Sequence, residues 1–143
     1  MAESKYESHV TSVPCDAHTI YSVLGNLDNI NKVRDRIPQD KIQELEAGED
    51  FIRLKVDGLG QKITVRIVDR IPDDTLKFGC DNLPMQMNFW IQLKQVTPAD
   101  TRLRLTLKAD IPMMFRMMLE KKIQKGLDDA ADMLTQFPYA QWL

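Results

Sequence analysis

Cysteine and histidine are scarce in this chain, with two of each in 143 residues. Cys15 and Cys80 stand alone without C-x-x-C spacing, so no disulfide framework is indicated, and buried free thiols in a reducing compartment are expected. Cys15 and His18 have C-x-x-H spacing, but no second ligand pair completes a zinc site. His9, the other histidine, lies in a weakly patterned strand-like run. G-x-S-x-G, H-E-x-x-H and phosphate-loop motifs are all missing, so no catalytic residue is assigned and no cofactor or metal is implied. No stretch reaches the ~18 apolar residues of a membrane span, and the first residues, Met1-Ala2-Glu3-Ser4-Lys5, lack the apolar core of a signal peptide. The expected location is cytoplasmic. A net charge of -2 gives no global reason to expect nucleic acid. Hydrophobic content of 43% against 28% charged excludes a disordered or fibrous chain, and the length is that of one domain spanning 1–143.

The periodicity divides the chain into blocks. Tyr6–Val13 reads as a first strand ending at Pro14. Asp16 is placed to cap a short helix carrying Ala17, Ile20, Val23 and Leu24, and Asp28 a second one carrying Ile30, Val33 and Ile37, stopped by Pro38. The period then changes to two. Strand-like runs occupy Lys41–Glu46, Phe51–Val56, Gln61–Asp69, Leu76–Cys80, Met85–Val96 and Thr101–Ala109. Turn signals at 48–50, 57–60, 72–74, 82–84 and 97–100 separate them. Linkers this short favour sequential antiparallel hairpins over parallel crossovers.

The last block, Asp110–Phe137, reads as one long helix, with Asp110 as its cap and Pro112 near its first helical position. Leu119, Ile123, Gly126, Leu127, Ala130, Leu134 and Phe137 recur at three and four residues as one apolar stripe. Gly126 inside that stripe implies close approach to another backbone, and the apolar face of the strands is the natural partner. The opposite sheet face carries Arg53, Lys55, Lys62, Arg66, Lys77, Trp90, Lys94, Arg102, Arg104 and Lys108. One apolar and one wet face is the pattern of an antiparallel sheet covered on one side.

With this order of elements the chain resembles the START-like, polyketide cyclase-like (SRPBCC) helix-grip superfamily. The likeness rests on Val13-Pro14-Cys15-Asp16-Ala17-His18-Thr19-Ile20-Tyr21-Ser22-Val23-Leu24, on Asn26-Leu27-Asp28-Asn29-Ile30, and on the terminal segment from Ile111-Pro112 through Leu127 to Ala131. It implies an α+β fold, a curved seven-stranded antiparallel sheet wrapped around a long C-terminal helix, with two short helices after the first strand. It also implies a cavity between sheet and helix for a small, mostly apolar ligand: lipid-like, polyketide-like or another hydrophobic metabolite. An enzyme of polyketide cyclase or aromatase type is the alternative, and a protein- or anion-binding module using the basic sheet face is a third.

The residues expected to line such a cavity are Leu54, Val65, Phe78, Met87, Phe89, Leu105 and Leu107 from the sheet, with Met114, Arg116, Met117, Met118 and Glu120 from the helix. In the first turns of that helix, Arg116 and Glu120 fall on the stripe side, while the methionines spread around the rest. A flexible, polarisable methionine collar with an Arg/Glu pair suits the mouth of a ligand cavity; an ordinary solvated i,i+4 pair is the other outcome. The tail Pro138-Tyr139-Ala140-Gln141-Trp142-Leu143 ends apolar and either folds back or joins two subunits as a homodimer.

Overall fold

The computed structural model describes residues 3–36, 42–56, 62–81 and 86–141. The expected turns at 57–60 and 82–84, the stop at Ile37-Pro38, and Trp142 and Leu143 lie outside those residues. Eight strands form one antiparallel sheet: β1 (Ser4–Glu7), β2 (Thr11–Val13), β3 (Ile42–Ala47), β4 (Phe51–Val56), β5 (Lys62–Ile71), β6 (Thr75–Asp81), β7 (Met87–Thr97) and β8 (Asp100–Ala109). From β3 to β8 the sheet is a meander, and β1 and β2 both pair with β8 at its far edge. The single first strand and the count of seven expected from the sequence are corrected here. Ser8 breaks that strand in two. Buried, it donates its backbone N–H to Leu105 O at 2.8 Å and accepts the Leu105 N–H on its hydroxyl at 2.9 Å. The hydroxyl thus substitutes for a ladder acceptor, and the chain bulges outward at His9-Val10.

Helix α1 (Ala17–Leu24) begins as expected, with Asp16 accepting the Thr19 N–H at 3.0 Å and the Thr19 hydroxyl at 2.7 Å. Ala17, Ile20 and Val23 bury its inner face. The next segment, Leu27–Arg36, is a 3₁₀ helix rather than an α-helix. Its polar run Asp28-Asn29-Ile30-Asn31 explains the difference. Asn26 caps the Asp28 N–H, Asn29 donates back to Val23 O and Asn31 to Asp28, so side chains compete for the bonds of an α-helical turn.

The long helix α2 runs Met113–Leu134, with Pro112 as its extended N-cap residue. Asp110 does not cap it. Ile111 precedes a proline and is held extended, so the strand exit continues through it, with the Asp110 N–H bonded to Gln86 O at 3.1 Å. α2 packs on β8, β1 and β2 through Leu127 and Ala131, with Ile123, Ala130 and Leu134 alongside. Gly126 is exposed, and a Cβ built there meets nothing within 4 Å. The expected close approach at Gly126 is therefore wrong: the stripe is narrower than its sequence outline, and Gly126 lies at its outer margin.

Cross-strand register places the inner face in rows. Tyr6, Leu107, Phe89, Phe78 and Ile67 form one row across β1, β8, β7, β6 and β5. Leu105, Ile91 and Leu76 form the next, towards α1. The core concentrates there: Ile20, Leu76, Leu103 and Leu105 are all at most 1% exposed.

Candidate functional site

The two halves of α2 are held unequally. In the C-terminal half, apolar packing is reinforced by a polar latch to the bulge in the edge strand. The His9 N–H donates to Asp128 Oδ1 at 2.8 Å, His9 Nε2 lies 2.7 Å from Asp132 Oδ1, and the Gln124 amide donates to Glu7 O at 2.7 Å. Further on, the buried Tyr139 hydroxyl donates to Leu134 O, and burial pushes its pKa up. The hydrogen bond to Asp132, with the carboxylates of Asp132, Asp128 and Asp129, holds the His9 imidazolium above the usual histidine range against some desolvation. Because the folded value is the raised one, the latch contributes fully below the ordinary imidazole pKa and is lost as pH rises through the folded value. The thermal midpoint is therefore expected to fall between about pH 5.5 and about pH 8, and to fall less in His9→Gln. Parallel pH profiles for parent and variant in differential scanning fluorimetry would show that the latch carries no charge-dependent stability.

The N-terminal half of α2 is the more exposed one. Met117 is 88% exposed, Met113 and Met114 79% each, and Met118 65%, with Glu120 exposed as well. Arg116 is half-buried and donates from Nη2 to Ile111 O at 3.4 Å. The inner sheet face is unevenly covered. Leu54, Val65, Met87 and Phe89 are half-buried, whereas Phe78, Leu105 and Leu107 are buried in the core. Along β7 burial falls from Ile91 and Leu93 to Met87 and Phe89, while the inner face of β8 stays buried through Ala109 and Ile111.

The Tyr6 hydroxyl and one carboxylate oxygen of Asp110 are buried without a hydrogen-bond partner among the described residues. Tyr6 stands opposite Leu107, and Asp110 follows Ala109 at the strand's end. An unsatisfied buried polar group costs about 1–3 kcal/mol, so each is poised to gain from a partner. Sequence reasoning missed both. Tyr6 lay in a strand whose alternation is blurred by the Ser8 break, and Asp110 matched the pattern of a helix cap.

Other features carry less chemistry. A pocket of about 230 Å³ lies between Val13-Pro14-Cys15 and Phe137–Gln141. The Cys15 thiol beside it is pushed up by desolvation and by the Asp16 carboxylate, so it is a protonated thiol and a poor nucleophile. Cys80 is pushed up by burial and by Asp81. No group of three or more His, Cys, Asp or Glu side chains suited to a metal occurs among the described residues. The basic sheet face is substantially neutralised by acids from its own strands: Arg104 pairs with Glu7 at 2.9 Å, Arg53 with Glu46 at 3.4 Å, Lys62 with Glu44 at 3.7 Å and Arg102 with Asp100 at 3.2 Å, while Arg66 pairs with Asp81. Trp90 lies between Lys77 and Lys108, each about 5.5 Å or less from its ring centroid.

Solved structures share this arrangement. Norcoclaurine synthase from Thalictrum flavum, bound to a transition-state analogue, superposes with a TM-score of 0.74 at 13% identity, covering 94% of this chain and 93% of that one. The Zhui aromatase/cyclase from Streptomyces sp. R1128 gives 0.62 at 20% identity, over 94% and 91%. A START superfamily protein from Mycobacterium smegmatis gives 0.57 at 13%, over 92% and 98%. This is the helix-grip fold. No family model matches the chain, and no curated protein matches it in sequence. No helix among the described residues is long and apolar enough to cross a membrane.

Proposed function

We propose that this helix-grip domain binds a small, mostly apolar molecule carrying one hydrogen-bonding group, held between the inner sheet face and the first turns of α2. The observation that carries the reading is the pairing of an incompletely covered apolar surface (Leu54, Val65, Met87 and Phe89) with two unsatisfied polar atoms at the same end, on Tyr6 and Asp110. Ligand sites are mostly apolar concavities with a few convergent polar groups that fix orientation. Arg116 stands beside this end as a fixed positive charge for an acidic ligand head. The fold is shared with an aromatase/cyclase and with a norcoclaurine synthase solved in complex with the small molecules dopamine and hydroxybenzaldehyde. Of the alternatives, an anion-binding outer face is disfavoured by its ion pairs.

The test is native mass spectrometry of freshly purified protein, with titration of an apolar fluorescent probe. A co-purifying small molecule, or saturable probe binding displaced by an apolar acid, is the expected result. Tyr6→Phe deletes an unsatisfied buried hydroxyl, so its thermal midpoint is expected to hold or rise. Retention of a ligand that bonds to that hydroxyl should fall by about 5- to 10-fold, the worth of one hydrogen bond. A parent protein that carries no small molecule and binds no probe overturns the proposal.

A further inference from the structure

We infer that the N-terminal half of α2 is a docking surface for an anionic lipid bilayer. Its first two turns present Met113, Met114, Phe115, Met117 and Met118, all exposed, in a run where an ordinary surface helix carries polar residues. Directly behind them come Lys121, Lys122 and Lys125, also exposed. At about 100° per residue, Met114, Met118, Lys122 and Lys125 share the side of α2 turned away from Leu127 and Ala131. Met114 and Met118 are therefore followed by Lys122 and Lys125 along the same outward face. Between Met118 and Lys122 the helix rises about 6 Å, and amphipathic segments enter the headgroup–acyl boundary by about 5–10 Å. Methionine and phenylalanine side chains then reach the acyl boundary while the lysines lie at the lipid phosphates.

Charge complementarity favours a bilayer over a second copy of this chain. Lys121 and Lys122 have no ion pair among the described residues, and Lys125 is paired only within its own helix, to Asp129 at 2.8 Å. The single acid within this run, Glu120, leaves the patch positive although the chain as a whole has a net charge of -2. An isologous dimer through this face brings like-charged lysine rows into one contact, whereas an anionic headgroup layer supplies the opposite sign. No described helix is suited to crossing a membrane, so the contact is interfacial: the first turns of α2 enter tip-first and the lysines behind them stay at the headgroups. It does not depend on the inner face holding a ligand.

The experiment is co-sedimentation of the full chain with vesicles of phosphatidylcholine alone and of phosphatidylcholine mixed with phosphatidylglycerol, at low and high salt, without added ligand. Binding is expected on the mixed vesicles at low salt and much less on the neutral ones. K121E/K122E should weaken it on the order of thirtyfold, from about 1 kcal/mol per lysine at an anionic surface. M114S/M117S/M118S should weaken it by about tenfold or more. Both variants alter exposed side chains and should keep the parent's circular-dichroism melt. The inference is overturned if the parent ignores mixed vesicles, binds neutral ones equally well, or keeps its affinity in the methionine variant. It is also overturned if sedimentation velocity shows a dimer that the methionine variant dissolves, since a second copy then covers the patch.

Discussion

Leu105→Ala is expected to lower unfolding stability by about 3–5 kcal/mol, the range of buried Leu→Ala changes that leave a cavity. Leu105 is 0% exposed. It lies across from Ile91, with Leu76 next in the same row, and its backbone N–H is bonded to the Ser8 hydroxyl that holds the broken edge strand. Relaxation around it is limited because β8 is paired on both sides, to β7 and to β1 and β2. The loss is a large part of the ~5–15 kcal/mol available to a domain. Urea unfolding should show the midpoint move with little change in slope. Such a loss marks a closely packed position, since a residue lining an open site loses far less stability on truncation. A shift under about 1 kcal/mol, below the usual range for buried leucine, would mean that the inner face is not closely packed at this point.

Ala131→Leu should cost about 1–3 kcal/mol by overpacking, while Gly126→Ala should gain up to about 1 kcal/mol from helix propensity alone. Ala131 is 0% exposed in the seam where α2 meets the sheet, and its small side chain sets how close the helix approaches. Gly126 faces open space with ordinary helical geometry, so a side chain there meets no neighbour. The opposite signs distinguish the gripped side of α2 from its free side. Equal thermal midpoints for Ala131→Leu and the parent would place the seam elsewhere.

The candidate site was legible only in part. Alternation along β7 places Met87 and Phe89 on the inner face with Ile91 and Leu93, and the register confirms that. Alternation does not say which of the four is covered. Ile91 and Leu93 are buried, with α1 packed on β7, whereas Met87 and Phe89 are half-buried. The methionines of α2 were equally ambiguous, since exposure depends on where the helix axis lies and not on residue type.

Periodicity and turn chemistry are short-range. They were sufficient for the order of elements, for the hairpin meander, for the Asp16 cap on α1 and for one long terminal helix, since each depends on neighbours within a few residues. What required the tertiary structure is long-range. The edge strand is split at Ser8 because the Ser8 hydroxyl meets Leu105, 97 positions away. α2 is latched at its C-terminal half because His9 meets Asp128 and Asp132 more than a hundred positions away. Gly126 points outward because the helix settles on Leu127 and Ala131, and the Tyr6 hydroxyl and one Asp110 oxygen have no partner among the described residues. A linear pattern specifies which faces are apolar. Which part of an apolar face is covered depends on the pose of one element on another, set by packing and by a few distant hydrogen bonds.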